Sequence, residues 1–176
     1  MKKKTKLLKL DLGAGDNCKP GFLGVDLYNG AAVKCDLLKF PWPWKDNTVE
    51  EVHCSHFFEH VPGVLRGQFM DELHRILIVG GKATIITPYW ANSRAIQDYT
   101  HQWPPVAEQS YLYFNKSWRD ANKLSHYLCK CDFDFTYGYM PDPDTATRSQ
   151  ESQNFFIKHY IHAVSDLQVN LTKRGK

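Results

Sequence analysis

Apolar residues fall into short runs that alternate with polar, glycine-bearing and proline-bearing stretches. Strand-length runs lie at residues 5–12, 22–27, 31–35, 49–54, 82–87, 133–139 and 163–171. Short apolar runs bounded by turn formers read as buried strands. Elsewhere the period changes. Leu65, Phe69, Leu73, Ile76 and Leu77 recur at helical spacing, which predicts a helix over 65–77 with Gly80 and Gly81 as its stop. A second helix is predicted over 118–128, capped from Asn115 or Ser117, and a third over 148–160. Strands alternating with helices predict an open α/β sheet. Prolines at 41 and 43, 104 and 105, and 141 and 143 mark loops. No repeat and no Gly/Ser linker divides the chain, so one domain over residues 1–176 is expected.

Composition narrows the class. The chain is 43% hydrophobic and 23% charged, enough apolar content for a packed core and too much for a disordered chain. No uncharged apolar window is long enough to span a membrane as a helix. The basic start lacks the uninterrupted apolar stretch of a signal peptide, because Lys9 and Asp11 break it. Five cysteines without a C-x-x-C pair fit reduced thiols, and a cytoplasmic protein is expected. Eight of the 22 basic residues lie in the first nine and last four positions. The remaining 14 face 19 acidic residues, so the body carries −5. Basic tails over 1–6 and 173–176 are therefore read as flexible and solubilising, not as a nucleic-acid surface.

The sharpest local signal is Leu10-Asp11-Leu12-Gly13-Ala14-Gly15, a strand running into G-x-G. Glycines there permit a tight turn and close backbone approach to a ligand. Phe22-Leu23-Gly24-Val25-Asp26 follows as a short strand ending in a carboxylate, where a ribose diol is held in doubly wound folds. Leaving out that strand, about nine residues remain for the crossover, Pro20 and Gly21 among them; a full crossover wants at least about 10–12. The first crossover helix is thus reduced to a turn or lost. Cys18 stands where a third glycine would let such a helix pack. A weakened helix terminus disfavours a pyrophosphate and points to a nucleoside ligand.

With these motifs in this order, the sequence resembles class I S-adenosylmethionine-dependent methyltransferases, most closely the small type 11 branch with a shortened first helix. The resemblance runs from about Leu7 to Tyr89. Besides the glycine and acidic motifs it rests on Cys35-Asp36-Leu37, on 46–52, on Ser55-His56-Phe57-Phe58-Glu59-His60-Val61, and on 73–88 with its two glycines. It implies a Rossmann-like doubly wound sheet of seven strands, mostly parallel, with an antiparallel last strand. It also implies S-adenosylmethionine as cofactor and methyl transfer as activity. In that likeness Gly13, Ala14 and Gly15 would pass the methionine moiety and Asp11 would help hold its ammonium. Asp26, with Leu27 beside it, would accept from the ribose hydroxyls. Asp36 and the Leu37 amide would read adenine. Cys54, Ser55 and His56 would lie near the methyl donor.

The acceptor side is less determined. Related small methyltransferases carry an Asp-x-Thr-His segment like Asp98-Tyr99-Thr100-His101, which makes Asp98 and His101 the candidate substrate-site residues. An alternative is a loop whose Asp and Thr bond their own backbone. A small-molecule acceptor methylated at oxygen or nitrogen is expected. RNA or protein acceptors are the alternatives, and a non-catalytic cofactor-binding protein is a further one. A homodimer could cover the cofactor. His56-x-x-Glu59-His60 also matches a zinc hydrolase pattern, but Pro62 and Gly63 would end the helix that pattern needs, so no metal is expected.

Overall fold

The computed structural model describes residues 7–28 and 30–175. Seven strands form one sheet: β1 (Leu8–Leu12), β2 (Leu23–Asp26), β3 (Val33–Lys34), β4 (Val49–Ser55), β5 (Leu77–Pro88), β6 (Phe133–Pro141) and β7 (Val164–Lys173). Their order is β3-β2-β1-β4-β5-β7-β6. The pairs among β1 to β5 are parallel, and β7 runs antiparallel to both β5 and β6. The order reverses beside β1, the switch point outside whose strand ends ligands bind in open α/β sheets.

Among the described residues, no helix separates β1 from β2, β2 from β3, or β3 from β4. The reduced first crossover is a string of turns. The full helix α1 (Gly63–Ile76) joins β4 to β5 and buries Arg66, Phe69, Met70, Leu73 and Ile76, the i, i+3, i+4 stripe of an amphipathic helix. These apolar residues share one core with Leu10, Leu12, Val52, Cys54, Ala83, Ile85, Val169 and Leu171 from one face of the sheet. The other face is polar. Lys9, Glu51, Lys82, Thr172 and Asp134 share one row across five strands, and the Lys9 Nζ donates to Glu51 at 2.7 Å. From that row toward the carboxyl ends of β1, β4 and β5 the ladder is in register, so alternation fixes which side chains meet water.

Three expectations change. Gly80 and Gly81 do not stop a helix. α1 ends at Ile76 and the pair sits in a bulge of β5, where Val49 pairs Leu77 but Glu51 pairs Lys82. Gly80 has φ +77°, and a Cβ on Gly81 would lie 2.8 Å from the Ile78 carbonyl oxygen. Asn115 does cap α2 (Lys116–Ala121) by accepting from the Trp118 amide, but the helix has six residues and ends before Lys123 turns left-handed at φ +57°. The 148–160 segment contains α4 (Gln150–His159), which follows the short α3 (Pro143–Ala146) and buries no residue of its own.

The third change concerns the tails. Residues 1–6 and Lys176 lie outside the described residues. Lys173 is no tail residue: it ends β7, and its buried Nζ donates to the Leu77 carbonyl at 2.7 Å and to Asn47 Oδ1 at 2.9 Å. Arg174 reaches Asp132, Asp134 and Ser117. Lys173→Met is expected to destabilise the chain by about 1–3 kcal/mol in urea unfolding, because a buried carbonyl loses its charged donor. Unchanged stability would return Lys173 to the role of a solubilising charge.

Candidate functional site

The parallel strands bring the predicted residues to one edge. Gly13 to Gly15 leave β1, Asp26 ends β2, Asp36 and Leu37 follow β3, and Ser55 and His56 close β4. Gly13 and Gly15 are left-handed at φ +71° and +50°, conformations that cost other L residues about 1 kcal/mol or more. The amides of Gly13 and Ala14 donate to the Val25 carbonyl at 2.8 and 3.3 Å, which ties the turn to β2. The two glycines differ in surroundings. A Cβ at Gly13 would lie 2.5 Å from the Phe57 ring, whereas at Gly15 it would meet nothing within 4 Å. The turn is packed on one side and open at its tip.

The Asp26 carboxylate organises this tip. Its Oδ2 accepts from the Gly15 amide at 2.9 Å, and its Oδ1 accepts from Leu27 and Tyr28 at 2.6 and 3.3 Å. Four lone-pair sites and three donors leave it room for a further hydroxyl. Asp11 is engaged differently. It is buried, its Oδ1 lies 2.8 Å from His53 Nδ1, and its Oδ2 accepts from the Lys19 amide at 2.7 Å. It braces the loop between β1 and β2. Burial, and not the number of its bonds, limits its direct contact with a ligand ammonium. Asp36 accepts from the Leu38 amide and sits 3.4 Å from Lys39 Nζ, while Leu37 is buried and its carbonyl accepts from the Trp42 indole. Leu27 is exposed.

At the end of β4, Cys54 is buried and burial pushes its thiol well up, so it is an inert wall. His56 is left-handed at φ +55°. Its Nδ1 lies 3.4 Å from Glu59 Oε1 and its Nε2 4.0 Å from Asp166 Oδ2. Glu59 first, then Asp166, raise its pKa against the opposing effect of burial. A raised histidine pKa stabilises below the unfolded value of about 6.5 and ceases to do so as pH rises through the folded value. Thermal melts at pH 6 and pH 8 should therefore differ more for wild type than for His56→Gln. Equal differences would mean that His56 is uncoupled from the two carboxylates.

The His56-x-x-Glu59-His60 pattern is not laid out on a helix. Phe58–His60 form a single 3-10 turn, and the chain straightens at Val61 before α1 begins. The two histidines therefore do not share the helical face on which that pattern depends.

The segment after β5 folds back over this turn. Asp98 Oδ1 accepts from both the amide and the hydroxyl of Thr100, at 2.8 and 2.7 Å, so Asp98 does bond its own loop. His101 Nδ1 lies 3.2 Å from the Ala95 carbonyl, and its ring centroid is 4.8 Å from that of His60. The Gln102 amide donates to the Glu59 carbonyl. The buried Arg66 guanidinium donates to the carbonyls of Val61, Gln102 and Pro104. Sequence reasoning missed Arg66 and Asp166. Arg66 lies on the apolar stripe of α1, which was its visible signal. Asp166 had none: it joins the rim through Arg94 at 3.1 Å, 72 residues away. A cavity of about 730 Å³ beside α1, lined by Arg66, Tyr113, Tyr127 and Leu128, contains none of the predicted residues.

No protein-family model matches the sequence, and no curated protein matches it. Solved structures do match. A SAM-dependent methyltransferase from Archaeoglobus fulgidus is similar over 96% of this chain and 87% of its own, at 16% identity and a TM-score of 0.66. An S-adenosylmethionine-dependent methyltransferase from Mesorhizobium loti is similar over 95% and 91%, at 15% identity and a TM-score of 0.52. A geranyl diphosphate methyltransferase in complex with SAM is similar over 95% and 78%, at 13% identity and a TM-score of 0.54. The described residues carry the fold of class I S-adenosylmethionine-dependent methyltransferases.

Proposed function

We propose that this chain is a methyltransferase that moves a methyl group from S-adenosylmethionine to an oxygen or nitrogen of a small-molecule acceptor. We read it as one domain over residues 1–176, of the small type 11 kind, working in the cytoplasm. The observation that carries the reading is the succession of an open glycine tip at Gly15, a carboxylate with spare acceptor capacity at Asp26 and a second at Asp36. They stand at the ends of β1, β2 and β3, on the side of the switch point where nucleosides bind in this fold. The residues fit an adenosine with a short apolar-to-zwitterionic tail and no phosphate, since no helix terminus follows β1.

When bound, the cofactor supplies an electrophilic methyl group on a sulfonium. The chain's task is to orient the acceptor in line and keep water out. Asp26 would hold the ribose, Asp36 and the Leu37 amide the adenine, and Ser55 and His56 the donor end. Above them, Trp90, Ile96, Tyr99 and Trp103 expose large apolar surfaces on the loop that carries His101. Such a rim suits a small acceptor with an apolar body. His101 would position the acceptor beside the methyl donor.

Calorimetric titration of the full chain in EDTA with S-adenosylmethionine and S-adenosylhomocysteine tests the cofactor. Saturable one-to-one binding is expected, and its absence overturns the reading. Radiolabelled methyl groups supplied with cell extract should then appear in the small-molecule fraction. Label in RNA or protein alone would overturn the acceptor class.

A further inference from the structure

We infer that Glu59, His60 and His101 form a binding site for a divalent transition-metal cation of the zinc class. One ligand atom from each lies within 4.8 Å of the other two. Ligand bonds of about 2.0–2.2 Å place tetrahedral donors roughly 3.3–3.6 Å apart, so closure needs a movement of about an ångström. The set is His₂Glu, a combination of protein ligands found in catalytic zinc sites.

Two independent features point to a cation here. The first is Glu59. It is 5% exposed, and both carboxylate oxygens are buried with no hydrogen-bond donor. His56 Nδ1 lies 3.4 Å from Oε1 and makes no hydrogen bond to it. The Arg66 guanidinium, close by, is spent on three backbone carbonyls. A buried carboxylate without donors is costly, and a metal ion would compensate it.

The second feature is the way the two imidazoles are held. The Thr100 hydroxyl donates its proton to Asp98, so at 3.0 Å it can only accept from His60 Nδ1. The Ala95 carbonyl can only accept, so His101 Nδ1 also carries its proton. Both rings are thereby held through Nδ1, which leaves Nε2 as the ligand nitrogen; that of His101 lies 3.9 Å from Asp98 Oδ2. Metal-binding histidines are oriented in this way, by a second hydrogen bond to a carbonyl or a carboxylate-linked group. Asp98 and Thr100 are positioning residues in this reading. Two imidazole nitrogens and one carboxylate oxygen are the donor types that a divalent ion of this class takes. Three protein ligands also leave a position for water or, if the methyltransferase reading holds, an acceptor atom.

The test uses the full chain stripped with EDTA and titrated with Zn²⁺, and separately with Co²⁺ to read its visible absorption. One-to-one binding is expected. His60→Ala and His101→Ala should each weaken Zn²⁺ binding by more than about a hundredfold. Thr100→Val should weaken it about tenfold by releasing the His60 ring, in the range seen for outer-shell partners. Cys129→Ser, away from the site, should leave it unchanged. No saturable binding, or binding that survives both His101→Ala and Thr100→Val, overturns the inference. S-adenosylmethionine binding is read in EDTA, so the two proposals fail separately. Zn²⁺ binding without cofactor binding would sink the methyltransferase reading alone.

Discussion

Asp26→Ala is expected to weaken S-adenosylmethionine binding at least about tenfold in calorimetric titration of the full chain. A charge-assisted hydrogen bond contributes about 1.5–3 kcal/mol, and 1.4 kcal/mol is a factor of ten. The carboxylate also gathers the amides of Gly15, Leu27 and Tyr28. Alanine would therefore remove the proposed ribose contact and the tie that holds the glycine tip against β2. Asp26→Asn separates the two effects, because its remaining oxygen can still accept from the backbone while the charge is gone. Its affinity should fall between those of wild type and Asp26→Ala. Wild-type affinity in Asp26→Ala would mean that the carboxylate only shapes the turn, and the ribose assignment would fall.

This residue also shows what was legible in the sequence. A G-x-G after an apolar run, and an acidic residue closing the next run, are local features, and local backbone chemistry fixed both turns. The spacing from Gly13 to Asp26 was equally local, and it predicted the missing crossover helix. α1 was legible because its buried stripe repeats at helical period. Features decided by distant partners were hidden. Lys173 looked like a tail charge because nothing near it in sequence reveals that Leu77 and Asn47 present oxygens to it. Gly80 and Gly81 looked like a helix stop because a bulge is defined by the facing strand, here residues 49–51 of β4. His60 and His101 are 41 positions apart, and only the fold-back of the loop after β5 brings their rings together. Asp98 kept both readings open in sequence; the structure satisfies it within its loop, yet that same loop's Thr100 hydroxyl also holds His60 Nδ1.

Gly13→Ala is expected to lower stability by about 3 kcal/mol, and Tm by roughly 6–12 °C for a chain of this size. The glycine motif is usually explained by the ligand, which needs the backbone close. Here the fold itself already needs it. The left-handed φ of +71° costs about 1 kcal/mol with any Cβ, and that Cβ would sit 2.5 Å from the Phe57 ring and 2.6 Å from its Cβ. Phe57 cannot step aside freely, since it packs on Phe69 of α1 at a centroid distance of 6.2 Å. Overpacking of this kind costs about 1–3 kcal/mol. A double-mutant cycle with Phe57→Ala isolates the steric share. In the double variant the clash is gone, so the loss from Gly13→Ala should shrink to the backbone cost alone. Gly15→Ala, with the same handedness and open space, should show only that backbone cost. If Gly13→Ala and Gly15→Ala lose the same stability, the contact with Phe57 contributes nothing, and the first glycine is there for the ligand alone.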